Sequence, residues 1–484
     1  MPDLTQININ LQAVMPEISL CIGALAVLLL NALFPKISRQ LLVFLSILTL
    51  LVSFRLTMNL WGNSITAFSG MFIIDRFSFY AKMLFFIIAF LIIVVSSTYL
   101  RDFEFGVGEY LSLILFSTAG MSFIASGADL LIIFLSIEIM SIAFYVLAGF
   151  ERGNFLSNEA SLKYFLVGAF SSVFLLYGIA LLYGFAGTSN LRGIASAIST
   201  SSSLPVIVFI GTSLLFVGFL FKIAAVPFHM WTPDVYQGAP TPITAFMATA
   251  GKVAAFVALV RVIETSFLPF IDNMSEVLWI LCAITMTLGN LVALAQTNIK
   301  RMLAYSSIAH AGYLLIAFVA MNELFIPSVL FYLFAYALMN IGAFSVVVFL
   351  SSKEKEAVNI SAYAGIGYKY PLLGVCMTIF MISLAGIPPT AGFMGKFYIF
   401  SSAIKSGFVN LAIIGVINSV ISVYYYFRII VYMYMKEPEE NWIYGRFSPQ
   451  LLAVIFSCAA VIMIVGIFPD FVIRLAKISK IAVW

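Results

Sequence analysis

Charge is scarce in this chain: of 484 residues, 10% are Asp, Glu, Lys or Arg, while 63% are hydrophobic. With a mean hydropathy of +1.09, such a sequence cannot clothe a water-soluble domain in polar side chains, and it belongs in a bilayer. Histidine is nearly missing. Only His229 and His310 occur, which speaks against a haem or a histidine-rich metal centre. Four cysteines, Cys21, Cys282, Cys376 and Cys458, stand singly in separate apolar runs, without the spacing of an iron–sulfur cluster or a zinc site, and read as small buried hydrophobes. No phosphate-binding GxxxxGK[ST] loop and no GxGxxG after a strand is found, so neither ATP nor a dinucleotide is expected as a ligand. No nucleic-acid partner is expected either. The opening MPDLTQININLQ has no basic stretch, and no small-residue cleavage site follows the first apolar run, so no signal or transit peptide is expected. Any uphill transport must then be driven from elsewhere, either in a secondary transporter or in one membrane subunit of a larger machine.

What is present is a succession of apolar runs. A hydrocarbon core about 30 Å thick takes roughly 20 apolar residues per helix, and fourteen candidate spans result: about 12–33, 41–60, 73–98, 110–126, 130–149, 159–184, 206–227, 240–263, 277–295, 301–321, 325–350, 372–404, 408–434 and 450–469. The stretch 187–203 is too polar to cross and reads as an interfacial helix or loop. Positive residues stay on the cytoplasmic side. Lys36, Arg39, Arg101, Arg152, Lys300, Arg301, Lys353, Lys355, Lys369, Lys436 and Arg446 fall in the links after odd-numbered spans, which predicts that both ends of the chain face away from the cytoplasm. Arg474, Lys477 and Lys480 in the tail run against that rule.

Ionisable groups inside spans are costly, about 2.5–3.5 kcal/mol at the bilayer centre on the insertion scale, and mark ion pathways. Glu138, in LLIIFLSIEIMSIAFYVLAGF, reads as the one acid deep inside a clean helix, roughly 13 Å from its end by the helical rise. It should be protonated there, or paired with a cation. Lys252 lies near mid-membrane in span 8, where snorkelling to either surface is least favourable. Lys222 precedes Pro227 in span 7, and Lys396 follows Pro389 in span 12. His310 in span 10 is suited to relay protons. Lys163, near the start of span 6, reads as either interfacial or functional, His229 as a marker of the cytoplasmic mouth or a structural group, and Lys82 and Arg428 as structural cations. Pro227 and the Pro388–Pro389 pair each remove a backbone donor and predict that spans 7 and 12 are broken. Discontinuous helices line ion sites in transporters because freed carbonyls at membrane depth need a buried or watery setting. Spans 7 and 12 are five apart, the offset expected if spans 4–8 and 9–13 are two related units.

Three blocks, KIAAVPFHMWTPDVYQGAPTPITAFMATAGK, TNIKRMLAYSSIAHAGY and SLAGIPPTAGFMGKFYIF, resemble in order the antiporter-like membrane subunits of proton-pumping NADH-quinone oxidoreductase, over nearly the whole chain. HMWTPDVYQGAPTPITAF and VYYYFRIIVYMYM are similar to its subunit N branch. The resemblance implies an all-α polytopic fold of about fourteen helices with two inverted five-helix repeats: helices 1–3 over residues 1–109, a first unit over 110–264, a second over 277–436 and a last helix over 437–484. It implies a proton path through Glu138, Lys222, Lys252 and Lys396, with Lys163 matching a family lysine and His310 on the central axis. Span 10 departs from span 5 in having no carboxylate to match Glu138. The chain itself would carry no cofactor. FMN, iron–sulfur clusters and quinone would sit in other subunits, its partners would be the other membrane-arm subunits and antiporter-like paralogues, and its place the bacterial inner membrane. A subunit of a multi-subunit Na+/H+ antiporter is the competing expectation.

Overall fold

The computed structural model describes residues 10–34, 36–102, 106–201, 205–351, 356–437 and 447–482; Lys353, Lys355 and Arg446 of the charge count lie outside them. Helices dominate because apolar segments in lipid must satisfy every backbone group within the segment. They run α1 Leu11–Leu33, α2 Arg39–Met58, α3 Arg76–Tyr99, α4 Val107–Ser126, α5 Leu130–Ala148, α6 Phe155–Ala186, α7 Leu191–Thr200, α8 Val206–Lys222, α9 Trp231–Gly238, α10 Thr241–Phe246 and α11 Lys252–Val262. After them come α12 Leu268–Leu294, α13 Ile299–Ala320, α14 Phe325–Leu350, α15 Ile366–Lys369, α16 Pro371–Ala385, α17 Ala391–Lys405, α18 Val409–Met435, α19 Pro449–Ile467 and α20 Asp470–Ile478. A short antiparallel hairpin, β1 Ile65–Ala67 with β2 Phe72–Ile74, joins α2 to α3 in the register Ile65–Ile74.

Among the described residues, twelve helices are long and apolar enough to cross a membrane. The expectation of fourteen counted two further segments that do not form continuous spanning helices. Segment 206–227 becomes α8 followed by an irregular stretch, and 372–404 becomes α16 and α17. Pro227 and Pro389 are the reason. Both breaks share one construction: α8 closes with Ala225 N donating to Leu220 O at 2.9 Å, and α16 with Ile387 N donating to Ile382 O at 3.2 Å. Ala224 (φ +59°) and Gly386 (φ +85°) reverse the chain in the left-handed region, and cis peptides precede Pro227 and Pro389. Each of these features recurs 162 residues on, 220 to 382 and 227 to 389.

A second set of contacts recurs at a shift of 169. Asp129 bridges Asn190, and Asn298 bridges Asn359. Leu130 N donates to Ser189 O and Leu191 N to Ala128 O; likewise Ile299 N donates to Val358 O and Ile360 N to Thr297 O. Asp129 and Asn298 are also the side-chain caps of α5 and α13, the residue types that best satisfy orphan N–H groups at a helix start. The same pattern of backbone bonds thus occurs at residues 128–191 and at residues 297–360.

Burial separates centre from rim. The 18-residue windows of Thr241–Phe267, α13 and α14 are 94% buried, against 28% for α2 and 33% for α6 and α18. The break in span 12 is packed without slack. A Cβ on Gly392 would stand 1.9 Å from the Ser383 carbonyl oxygen, a backbone atom of α16. Gly392→Ala should force α17 away from α16 and cost about 1–3 kcal/mol or more, as overpacking does. Thermal unfolding of the purified complex measures it, and an unchanged midpoint would contradict the crossing described.

Candidate functional site

The central groups come from five elements. Glu138 lies in mid-α5, with Ser172 Oγ of α6 donating to its Oε1 at 2.5 Å. Lys222, the last residue of α8, has its Nζ 3.9 Å from the same Oε1 and donates to Ser141 Oγ at 3.0 Å. The ion pair is therefore a loose one, with a serine holding each partner. Glu138 is not sealed away, as its depth in the helix had suggested. Its side chain is 23% exposed, on the face of α5 where Leu135 and Ile142 are also bare. Helical depth does not tell which way a side chain points when the helix lies at the rim of the chain.

Lys252 opens α11 directly after a π-helical turn at Met247–Gly251. Such wide turns re-aim the residue that follows and are frequent at functional sites. Its Nζ donates to the Ser307 carbonyl of α13 at 2.5 Å, one turn before His310. His310 is buried, with Nδ1 2.6 Å from Tyr332 OH and Nε2 3.1 Å from Tyr426 OH; Tyr426 OH also meets Ser306 Oγ at 2.5 Å. Beyond it, Lys396 Nζ reaches into the span 12 break, donating to Leu384 O at 3.2 Å, Ala385 O at 2.9 Å and Ser419 Oγ at 2.9 Å, and stands 4.7 Å above the Tyr313 ring. The carbonyls freed at the end of α16 thus receive the ammonium. Tyr313 OH accepts from Asn290, and Asn290 Oδ1 accepts from Tyr425 OH at 2.8 Å, so polar groups continue from Lys396 toward the α12 and α18 helices.

Lys163 stands apart from this axis. It is 42% exposed and pairs with Glu159 at 2.6 Å and Asp234 at 2.9 Å, at a cavity of about 540 Å3 that Pro227, Phe228 and Trp231 also line. Asp234 is shared with Arg301 at 2.6 Å. Burial alone would raise the Asp234 carboxyl, but Arg301 and Lys163 outweigh it and hold it below the usual carboxylate range, so it stays ionised at neutral pH. His229 lies at the break without contacting the axis residues, and Arg428 caps the end of α12 through Leu294 O and Gln296 O.

Several charged residues escaped the sequence reading. Glu17, in α1, is fully buried beside Lys82 at 2.6 Å, so Glu138 is not the one acid deep in a helix. Asp75 and Arg261 form a second buried pair at 2.9 Å. Lys300, also buried, holds Glu356 at 3.1 Å and the Ala239 carbonyl at 2.7 Å. Glu17 carried a signal in Pro16–Glu17 inside an apolar run, and Arg261 stands in the apolar run of span 8. Asp75, at the start of span 3, is the cap of α3, an end position that gave no hint of a buried pair. The position matched to Glu138 by the 169-residue shift is Ser307, whose backbone carbonyl accepts from Lys252.

Residues 127–422 match the transmembrane family NADH:quinone oxidoreductase/Mrp antiporter. A NADH-quinone oxidoreductase subunit N of Trichlorobacter lovleyi is 48% identical over 473 residues, 97% of each chain. This chain belongs to the subunit N family. Among solved structures it superposes on a chain of respiratory complex I from Thermus thermophilus with bound aureothin, 33% identical, with a TM-score of 0.82 over 96% of this chain and 99% of that one. A chain of the Mrp complex from Dietzia sp. DQ12-45-1b, 20% identical, shares the fold at a TM-score of 0.84 over 97% of both.

Proposed function

We propose that this chain is the proton-translocating membrane subunit of an NADH:quinone oxidoreductase. The observation that carries the reading is the state of Lys252 and Lys396: both are buried at 3% exposure, each opens or follows an irregular turn, and each donates to backbone carbonyls with, among the described residues, no carboxylate in ion-pair contact. An ammonium kept in that setting has no structural return that a methionine would not supply better. It is suited to take up and release a proton. Glu138 and Lys222 supply the switch, because the attraction between them depends steeply on a separation already at 3.9 Å. When the carboxylate moves closer it stabilises the charged lysine, and when it withdraws the proton is free to leave. From Lys222 the charge passes to Lys252, across the Ser307 turn to His310 and its two tyrosines, and on to Lys396 and the far side.

The driving step lies in neighbouring subunits, where NADH oxidation on FMN and iron–sulfur clusters reduces quinone; this chain contributes the path and no redox centre. The exposed edge of Glu138 suits contact with an adjoining antiporter-like paralogue of the membrane arm. The two units span 110–264 and 277–436, flanked by helices 1–3 and the final helix, in a bacterial inner membrane. Lys163 contributes through Asp234 at the span 7 break rather than on the axis. The antiporter alternative draws on the shared fold alone.

The test is Lys396→Met in the complex reconstituted into vesicles, with protons moved per electron pair as the readout. A lower ratio with a fully assembled complex is expected. A ratio equal to the unaltered complex removes the second half of the path.

A further inference from the structure

Outside the axis, the groups that the proposed function leaves unused are the buried charges between α1, α3 and α11. Glu17 is 0% exposed and Lys82 0%, with Lys82 Nζ 2.6 Å from Glu17 Oε1. Ser122 Oγ of α4 donates to the same oxygen at 2.6 Å. The composition repeats that of the first switch: carboxylate, lysine and a serine hydroxyl from three different spans, as in Glu138, Lys222 and Ser172. The separation differs, 2.6 Å here against 3.9 Å there.

A buried ion pair repays its desolvation best when the remaining lone pairs are also bonded. Glu17 Oε2 has no hydrogen-bond partner. Lys82 Nζ reaches Glu17 Oε1 at 2.6 Å and stands 5.0 Å from the centre of the Phe72 ring.

Nor is the pair remote from the surface. Lys82 lies two turns along α3 from Asp75, about 10 Å by the helical rise, on the same face of the helix. Asp75 receives Arg261 in a bidentate contact at 2.9 and 3.0 Å. Arg261 lines a cavity of about 240 Å3 with Ile73, Asn190, Arg192 and Ala482, and Ile73 is the neighbour of Phe72. The cavity sits where the links after spans 2 and 8 meet the tail, the face that the lysine and arginine count assigns away from the cytoplasm.

We propose that Glu17 and Lys82 are a second proton-exchange pair, the outward counterpart of Glu138 and Lys222, communicating with the outer solution through the cavity at Arg261. A proton moves between Nζ of Lys82 and a Glu17 carboxylate oxygen, turning ammonium and carboxylate into amine and acid and back, with no other reactant. The idea rests on the chain being a proton translocator.

Lys82→Arg separates exchange from scaffolding, because a guanidinium keeps the ion pair and never gives up its proton. Glu17→Gln keeps the shape and removes the acid. Both are measured in the reconstituted complex as protons per electron pair, beside a Lys252→Met complex. The expected result is assembly with a ratio lowered in Lys82→Arg and Glu17→Gln to the level of Lys252→Met. An unaltered ratio in Lys82→Arg, with Lys252→Met lowered, overturns this pair alone, whereas an unaltered ratio in Lys252→Met removes the axis on which it depends. Failure of both Lys82→Arg and Glu17→Gln to assemble counts against the proposal too, because it makes the pair a scaffold.

Discussion

Lys252→Met should abolish the protons carried by this subunit while leaving the chain as stable as before, or more so. Lys252 is buried at 3% exposure and its ammonium is held by Ser307 O, with no carboxylate beside it among the described residues. Removing a buried, uncompensated charge in favour of an apolar chain of similar length relieves desolvation and leaves behind one carbonyl lone pair. The transfer step loses its only titratable group between Lys222 and His310 in the proposed path. Positioned proton donors contribute about 10²–10⁴-fold to the steps they serve, so flux through this subunit should fall by at least about 100-fold, and the complex's proton-to-electron ratio by this subunit's share. Vesicle pumping paired with thermal unfolding reads both effects. A stable complex with a normal ratio would place the path elsewhere.

Arg261→Leu should give the largest stability loss. Its guanidinium is 1% exposed, bonds both Asp75 oxygens and donates to Ala125 O at 2.7 Å. Without it, Asp75 keeps its duty as the cap of α3, accepting from Ser78 N at 2.7 Å, but loses its counter-charge while its own side chain is only 1% exposed. Stranding one member of a buried pair costs about 3–5 kcal/mol. Adding Asp75→Asn, which preserves the cap and removes the charge, should restore more than half of that loss. The comparison of single and double variants in a thermal unfolding series decides it; equal midpoints for Arg261→Leu and the unaltered chain would show that the pair is not a stabilising contact.

The spans were legible because lipid imposes a length and a composition on each helix, and so were the breaks, because proline lacks an N–H wherever it falls. Glu138, Lys222, Lys252 and Lys396 were singled out by the cost of placing charge at depth and His310 by its suitability as a proton relay, and the structure puts each inside or at the end of a helix. What the sequence did not disclose was pairing. Lys82 was read as a structural cation without its partner, and the fold brings Glu17, 65 residues earlier, to within 2.6 Å of it. Asp75 and Arg261 are 186 residues apart, a distance across which no periodicity carries information. Lys163 was drawn to the axis by likeness to family members, whereas its exposed position on α6 turns it toward Asp234. Glu138 was read as sealed because helical rise gives depth along the membrane normal and says nothing of azimuth.

The straps at Asp129–Asn190 and Asn298–Asn359 share one backbone plan, yet the side chain at their matched depth is an acid in one half and a hydroxyl in the other. In the proposed path a cation leaves a half that meets it with a carboxylate, Glu138, and enters one that meets it at Lys396 with the Leu384 and Ala385 carbonyls, so the two halves hold it with unequal strength.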